Sequence, residues 1–323
     1  MSWFSSKKIF LDYASATPVL LRVQWAMWKY FSREFYNPNA IYEEGAKVRR
    51  EVEAFRTQIA RICGVAKDSV IFTSGGTESN TWAVRGVKSG QVIVEPDSHP
   101  SVSEAVLPSR SKKVVLVSSP VADNKLGRKI REERKKNNSD YPLLHIDASQ
   151  TANYFDIKLE SLACDILTLD SAKFYGPKGI GALIVRKGVK LDLPPQGTPP
   201  VSLIAGFAKA LEISVRDREK EFKRLSLLSN QFAETLKQRL PEASVSVVEP
   251  NIVNLSVPPL LPEFLVLLLD KKCIQVSAGP ACLSSKPEPV ETPVRFSLGR
   301  YTTRKELSRA LEILCREVQN VLK

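Results

Sequence analysis

Apolar and polar positions alternate along the chain with two different periods. Over residues 42–62 the apolar side chains recur every three or four positions, which predicts an amphipathic helix. Several short apolar runs follow, and each ends in polar or glycine-rich residues, as buried strands do where they enter loops. The runs are SVIFT, QVIV, KKVVLV, PLLHID, CDILTLD and GALIV. Because helical patterns separate these runs, we predict an α/β fold with a mainly parallel sheet.

A proline-rich connection divides the chain. The segment LDLPPQGTPPVS covers residues 191–202, and a helical pattern from about Val201 to Leu240 follows it. The remaining residues alternate strand and helix patterns on a smaller scale, which indicates an α+β unit. We therefore predict a large domain over 14–215 and a small domain formed by 1–13 and 216–323.

Composition indicates a globular protein. The 323 residues are 43% hydrophobic and 25% charged, with a formal net charge of +12. The basic clusters at 128–136 and 216–224 are interleaved with glutamate, as on solvated helix faces, so direct nucleic-acid binding is not expected. No apolar run approaches the roughly 20 residues of a membrane span, and the first residues lack a signal-like apolar segment. We expect a cytoplasmic protein without membrane association.

The five cysteines show no CxxC pairing and are odd in number, so neither a disulfide framework nor a zinc site is expected. Cys63, Cys164 and Cys315 lie in apolar or helical patterns and are expected to be core residues. Cys282 lies in VSAGPACLSS, a predicted loop, where a thiol can be exposed and reactive.

Polar residues directly follow four of the predicted strands. They are Gly75, Gly76 and Thr77, then His99, then Asp147 and Gln150, and finally Lys173. In open α/β sheets, ligands bind outside the carboxyl ends of the strands. A glycine pair opening a helix offers N–H groups to a phosphate, a carboxylate can hold a pyridinium proton, and a lysine can bind an aldehyde. Pyridoxal 5'-phosphate requires this set, although each member alone also fits a turn, a helix cap or a solvated loop lysine.

Several motifs resemble one family over almost the whole chain and in the same order. They are LDYASATPV, IFTSGGTESNTWAVRG, SHPSV, HIDASQTA, KFYGPKGIGALIVRK, VSAGPACLSS and RFSLGRYTTRKEL. This set resembles the cysteine desulfurases of the NifS and IscS kind, which are pyridoxal-phosphate enzymes of the class V aminotransferase group. The resemblance implies a fold-type I transferase: a large cofactor-binding domain with a mainly parallel sheet, and a smaller α+β C-terminal domain.

The resemblance also implies cofactor-binding residues. Lys173 matches the lysine that binds the cofactor aldehyde, Asp147 the carboxylate at the pyridine nitrogen, and Gln150 the amide beside the ring oxygen. His99 matches the histidine that stacks on the ring and moves protons, and His145 a non-catalytic histidine. The phosphate contacts match Gly76, Thr77 and, reaching the partner subunit of a homodimer, Thr198.

Substrate residues follow from the same resemblance. Arg295 matches the arginine that binds the substrate carboxylate, and Cys282 the loop cysteine that accepts sulfur as a persulfide. The segment DNKLG makes Asn124 a candidate ring or substrate contact. The implied reaction converts L-cysteine to L-alanine, with sulfur passed on to an acceptor protein, either an iron–sulfur scaffold or a tRNA-thiolation enzyme.

The chain departs from the family pattern near the phosphate. The family has His before the lysine and Ser or Thr two positions before that His, whereas this chain has Ala172 and Asp170. An aspartate repels a phosphate unless it points away or is protonated, so we expect weaker cofactor affinity, with Ser171 as a possible substitute contact. About one βα unit is missing between His99 and HIDA, and a helix is missing between Cys282 and Arg295.

Two alternatives stay open. A related lyase or aminotransferase of the same fold would need no sulfur-accepting thiol, so Cys282 argues against it. A catalytically impaired family member that acts as a binding or scaffold protein would account for the altered phosphate contacts and the missing segments. The evidence against that second interpretation is the joint presence of six residues, Lys173, Asp147, Gln150, His99, Cys282 and Arg295.

Overall fold

The computed structural model describes residues 8–120, 124–279 and 293–322. The chain forms two compact units, the sheet unit (Pro18–Arg218) and the terminal unit (Met1–Thr17 with Glu219–Lys323). The functional assignment of the predicted domains stays a prediction.

The described helices and strands alternate along most of the chain. The strands are β1 (Ile9–Phe10), β2 (Val70–Thr73), β3 (Gln91–Val94), β4 (Val114–Ser119), β5 (Leu143–Asp147), β6 (Ile166–Asp170), β7 (Gly181–Val185), β8 (Ser244–Glu249), β9 (Ile252–Ser256), β10 (Ile274–Gln275), β11 (Ser277–Ala278) and β12 (Val294–Ser297). The helices are α1 (Leu21–Trp28), α2 (Glu43–Cys63), α3 (Gly76–Arg85), α4 (Pro100–Ser103), α5 (Lys125–Lys136), α6 (Leu159–Leu162), α7 (Val201–Arg239), α8 (Pro262–Lys271) and α9 (Arg304–Leu322).

Helix α2 confirms the helical period read at 42–62. Its buried positions include Val48, Val52 and Ile59. Acidic residues in its first turn stabilise the helix through their interaction with the positive end of the helix dipole. The helix ends at Gly64, which takes the left-handed conformation with φ of 69° that glycine adopts readily. Among the described residues, no helix has both the length and the apolarity needed to cross a membrane.

The sheet unit contains a six-stranded sheet in the order β2-β7-β6-β5-β4-β3. Strands β3 to β6 pair in parallel, whereas β7 runs antiparallel to both β2 and β6. Strands β5, β6 and β7 are buried along almost their whole length, which explains their near-continuous apolar sequences. The predicted α/β fold with a mainly parallel sheet is confirmed.

Strands β2 to β6 all point the same way, so their carboxyl ends meet at one side of the sheet, which we call the carboxyl edge. It is defined by the last residues of these strands, Thr73, Val94, Ser119, Asp147 and Asp170. The loops that follow carry the polar residues singled out in the sequence.

The terminal unit is α+β, as predicted. Its four-stranded antiparallel sheet has the order β11-β12-β9-β8, and β1 pairs in parallel with β10. Helix α8 packs on strands of this unit, and Leu265 and Leu269 are its buried residues. This arrangement places Arg295 on the interior strand β12.

Candidate active site

Lys173 lies at the carboxyl edge, one turn beyond the end of β6. A 3-10 turn over Ser171–Lys173 follows the strand and leaves the lysine half-buried. The side-chain Nδ2 of Asn153 donates a 2.7 Å hydrogen bond to the backbone carbonyl of Lys173, and Asn153 Oδ1 accepts a 3.0 Å hydrogen bond from the Ser214 hydroxyl on α7. The backbone of the lysine is therefore fixed by buried side chains rather than lying in a loose surface loop.

Asp147 ends β5, and its carboxylate is held by three donors. Oδ1 accepts hydrogen bonds from the Ser149 backbone N–H at 3.1 Å and the Ser149 hydroxyl at 2.6 Å. Oδ2 accepts a 2.7 Å hydrogen bond from Nδ2 of Asn80 on α3. These contacts fix the orientation of the carboxylate at the strand end.

His99 is linked to Asp147 by a chain of hydrogen bonds. Asn80 Nδ2 also donates to Ser101 Oγ at 3.0 Å, and Ser101 Oγ lies 2.7 Å from His99 Nδ1. The Ser101 backbone N–H donates to the same Nδ1 at 3.0 Å, so Nδ1 is an acceptor. The neutral imidazole therefore carries its proton on Nε2. His99 itself is exposed and is the N-cap residue of α4.

Sequence reasoning missed Asn80 and Ser101, both of which are buried. A signal existed for Asn80, because an amide on the buried face of a short amphipathic helix requires a partner. Ser101 lay inside the SHPSV motif without a role of its own.

His145 occupies the interior of the sheet rather than the edge. Its Nδ1 lies 2.8 Å from Ser118 Oγ, and its Nε2 lies 3.0 Å from Thr168 Oγ1. Burial lowers its pKa to about 4, against a smaller raising effect of Asp147, so the ring is neutral at pH 7. This position supports the predicted non-catalytic role of His145.

The start of α3 forms a narrow backbone cradle at the carboxyl edge. A Cβ on Gly76 would lie 3.1 Å from Ser149 Oγ and 3.3 Å from Asp170 Oδ2. A Cβ on Gly181 of β7 would lie 2.7 Å from the Gly75 carbonyl carbon, so glycine at 181 allows the backbone before α3 to approach β7 closely. The N–H groups of this helix start are the predicted phosphate donors.

Asp170 turns its carboxylate into this cradle. The Ala172 backbone N–H donates to Asp170 Oδ1 at 3.0 Å, and the Gly76 backbone N–H lies near enough to favour the charged form of the carboxylate. Burial raises the pKa of Asp170 above its usual range, although both N–H groups and Lys173 oppose the shift. Ser171 next to it is fully buried, and its hydroxyl has no hydrogen-bond partner among the described residues.

The remaining predicted residues of the sheet unit lie at various depths. Thr77 and Thr198 are exposed, whereas Gln150 and Asn124 are half-buried. Asn124 is the N-cap residue of α5, which follows β4, and its side chain makes no capping hydrogen bond.

Two predicted residues belong to the terminal unit. Arg295 is 5% exposed, and its Nη2 donates to Asp12 Oδ1 at 2.9 Å. Its Nε is buried without a hydrogen-bond partner in the described part of the chain, so the guanidinium keeps an unused donor. Cys282 lies outside the described residues. Cys63, Cys164 and Cys315 are buried, as predicted.

Comparison with known proteins identifies the family. The model of the class V aminotransferases, described as "Aminotransferase class-V", matches residues 9–126, 109–196 and 195–310. This chain belongs to the class V aminotransferase family. Among curated relatives of this class V protein, cysteine desulfurase IscS of Dictyoglomus turgidum is 31% identical, with 98% of this chain and 95% of the relative covered. Cysteine desulfurase IscS of Methanosarcina thermophila is 30% identical over 98% of this chain and 93% of the relative.

Solved structures share the fold of this class V protein. A NifS-like protein superposes with a TM-score of 0.86 at 24% identity, and covers 97% of this chain and 100% of its own. The NifS-like protein from Rickettsia africae has a TM-score of 0.84 at 21% identity, with 97% of this chain and all of that chain covered.

This class V protein is shorter than the Dictyoglomus turgidum relative. The alignment with the Dictyoglomus turgidum protein spans 376 positions and this chain has 323 residues, so at least 53 of those positions have no residue here. The shortening lies within the matched region, because 98% of this chain is aligned.

The residues at the carboxyl edge fit the ring end of pyridoxal 5'-phosphate, whereas a protein carboxylate lies where the phosphate would bind. For the ring end the chain offers an oriented carboxylate, Asp147, and a lysine amine at position 173. For the phosphate end it offers the glycine cradle, but the carboxylate of Asp170 already lies there, with Oδ2 3.3 Å from the position of a Cβ on Gly76.

Proposed function

We propose that this protein is a pyridoxal-phosphate-dependent cysteine desulfurase, which converts L-cysteine to L-alanine and leaves the sulfur as a persulfide on Cys282. One observation carries the proposal: Asp147 ends β5, and Lys173 and His99 follow β6 and β3 at the same carboxyl edge, with Asp147 and His99 joined through Asn80 and Ser101. The 31% identity to a protein named cysteine desulfurase IscS, over 98% of this chain, supports the same reaction.

Each residue has a distinct task in this reaction. The cofactor, when bound, supplies an electron sink for the α-carbon of the substrate. With the cofactor present, Asp147 would hold the proton on the ring nitrogen and Gln150 would lie at the ring oxygen. Lys173 would bind the cofactor aldehyde, and its amine would serve as the base for the α proton of the substrate. His99 presents Nε2 for proton transfer, because Nδ1 is taken by Ser101.

Phosphate and substrate contacts complete the proposed site. Gly76 and Thr77 bind the phosphate within the subunit, and Ser171 and the partner subunit's Thr198 are further candidate contacts. Arg295 binds the substrate carboxylate through its guanidinium, and Asn124 contacts the ring or substrate.

The sulfur step balances without an external oxidant. The thiolate of Cys282 attacks the substrate sulfur, an S–S bond forms, and the substrate C–S bond breaks. The electron pair of the broken bond stays with carbon, which takes up a proton. In total, L-cysteine and the enzyme thiol give L-alanine and the enzyme persulfide. An acceptor protein in iron–sulfur assembly or tRNA thiolation then receives the sulfur.

We also propose that the protein is cytoplasmic and forms a homodimer. An exposed aromatic surface in the sheet unit supports the homodimer. Trp25 and Trp28, three residues apart on α1, are 73% and 72% exposed, and Phe31 and Phe35 beyond the helix are also exposed. Large apolar surfaces of this kind mark protein interfaces. We name Trp25, Trp28, Phe31 and Phe35 the aromatic face.

The test uses the purified full chain with added cofactor and L-cysteine. Wild type is expected to show visible absorbance from bound cofactor and to form alanine and sulfide under reducing conditions. Lys173→Ala is expected to lose the absorbance of the lysine-bound cofactor. Cys282→Ser is expected to keep the cofactor and lose persulfide formation, while Cys273→Ser, a matched cysteine control, keeps both.

Two results would overturn the proposal. A wild-type protein that binds the cofactor but forms no alanine from L-cysteine would favour a related lyase or aminotransferase. A folded protein that binds no cofactor at any concentration would favour a binding or scaffold protein.

A further inference from the structure

The carboxylate of Asp170 lies at the start of α3, beside Gly76. Its Oδ1 accepts a hydrogen bond from the Ala172 N–H, and its Oδ2 lies 3.3 Å from the position of a Cβ on Gly76, near enough for the Gly76 N–H to favour the charged carboxylate. An anion is stabilised at this point by the free N–H groups and by the positive end of the helix dipole. The chain thus supplies its own anion to the donors that a phosphate group would use.

A carboxylate and a phosphate cannot share this cradle while both are charged. The cradle is tight, because a Cβ on Gly76 would lie 3.1 Å from Ser149 Oγ and 3.3 Å from Asp170 Oδ2, closer than ordinary van der Waals contact. Like charges in close, partly buried contact disfavour each other's ionised form. A phosphate therefore requires that the carboxylate either take up a proton or withdraw from the Gly76 N–H.

We propose that Asp170 acts as an internal competitor for the phosphate subsite, so that it weakens the binding of phosphorylated cofactor specifically and couples that binding to proton uptake. This inference rests on the proposed function for the identity of the cofactor. It assigns Asp170 a role in cofactor affinity and not in the chemical step.

The charged groups around Asp170 act on its pKa in opposite directions. Asp147 at the end of β5 acts to raise its pKa and Lys173 acts to lower it, while burial is the largest effect and raises it. From α3, the Glu78 carboxylate is engaged by the Ser74 backbone N–H at 2.6 Å. From β7, the residue paired with Asp170 is Gly181, which carries no charge. A bound phosphate adds a further negative charge and raises the pKa of Asp170 again.

The experiment compares wild type with Asp170→Asn and Asp170→Ser between pH 6 and 9. Asparagine keeps the shape and removes the charge, and serine offers a hydroxyl donor. Binding of pyridoxal 5'-phosphate is measured by fluorescence quenching, with pyridoxal as the phosphate-free probe. Inorganic phosphate is titrated separately, with the melting temperature as the readout. Asp192→Asn, at an exposed aspartate of the same unit, controls for the change in net charge.

The comparison uses the ratio of the wild-type Kd to the Asp170→Asn Kd for pyridoxal 5'-phosphate at the same pH. Above the pKa of Asp170, this ratio is expected to rise by up to about tenfold per pH unit, because binding to wild type takes up one proton. The ratio for pyridoxal is expected to stay near one. Inorganic phosphate is expected to raise the melting temperature of Asp170→Asn more than that of wild type, and Asp192→Asn is expected to match wild type.

Equal affinities in wild type and Asp170→Asn across the pH range, or equal gains for pyridoxal and its phosphate, would overturn the inference. The proposed function fails separately, if cofactor-loaded wild type forms no alanine. In that case a phosphate-specific gain in Asp170→Asn would still support the internal competitor.

Discussion

The side-chain amide of Asn80 donates a 2.7 Å hydrogen bond to Asp147 Oδ2. The same amide donates to Ser101 Oγ, which contacts His99 Nδ1. One buried residue of α3 therefore orients both the carboxylate at the end of β5 and, through a serine, the histidine after β3. This makes Asn80 a positioning residue for two groups of the proposed site.

Replacing Asn80 by alanine is expected to lower kcat/KM for L-cysteine by about 10- to 100-fold, since hydrogen bonds to charged groups contribute roughly 1.5–3 kcal/mol. The pH profile of kcat/KM is expected to shift as well, because Asp147 and His99 lose their link. Thr81→Ala, on the same helix, removes only a hydrogen bond to the Thr77 carbonyl and serves as the control. Unchanged kinetics and an unchanged pH profile in Asn80→Ala would refute the positioning role.

The buried imidazole of His145 predicts a loss of stability in mild acid. Its pKa falls from 6.5 to about 4 on burial, so below pH 6.5 the unfolded chain binds a proton that the folded chain does not. The free energy of unfolding is therefore expected to fall as the pH drops from 6.5 to about 4, by on the order of 3 kcal/mol.

Urea titrations between pH 5 and 7.5 measure this effect. His145→Gln is expected to be less stable at pH 7 but to show a flatter pH dependence. His99→Gln, at the only other histidine of the chain, is expected to keep the wild-type slope. A wild-type slope in His145→Gln would contradict the assignment.

Asp165 predicts a large stability effect away from the proposed site. This aspartate is 2% exposed and accepts hydrogen bonds from Arg134, from Arg186 Nε at 2.7 Å, and from the Leu144 backbone N–H at 2.7 Å. Removing one partner of a buried ion pair leaves the other charge uncompensated, so Asp165→Ala is expected to lose about 3 kcal/mol of unfolding free energy.

The matched control for Asp165 is Glu160→Ala, which removes an exposed ion pair with Arg131. Such pairs contribute less than about 1 kcal/mol, so its urea midpoint should stay close to that of wild type. Similar midpoints for the two variants would show that the buried pair does not stabilise the sheet unit.

The aromatic face predicts the assembly state. Replacing both Trp25 and Trp28 by lysine is expected to convert a dimer into monomers in sedimentation velocity, because charged side chains oppose burial of the apolar surface. Leu267→Lys, at an exposed apolar residue of α8, is the control and should leave the dimer intact. A double variant that sediments as wild type would place the interface elsewhere.

The sequence alone predicts the parts of this molecule that depend on local pattern. The alternation of apolar runs and helical periods predicts the α/β fold. Because Asp147 and Lys173 each come at the end of a predicted parallel strand, the pattern also predicts that they share one edge of the sheet. These inferences succeed because strand direction follows from the alternation with helices.

Contacts between residues that are far apart in the sequence cannot be predicted in the same way. The link from Asp147 to His99 depends on how α3, α4 and β5 approach one another, and no spacing in the chain encodes it. The sequence indicates that Asp170 would repel a phosphate, but it does not show that Asp170 Oδ2 lies 3.3 Å from the position of a Cβ on Gly76. These two residues belong to α3 after β2 and to the end of β6, and β7 lies between those strands.

The position of β7 also has a consequence for the newly made chain. Among the described strands, β2 has β7 as its only neighbour in the sheet, so Val70–Thr73 lacks this partner until Gly181–Val185 has left the ribosome. Until then, β2 and β6 both expose unpaired backbone to solvent, and such edges recruit other chains. A premature stop before Gly181 should therefore yield an aggregating fragment instead of a smaller folded protein.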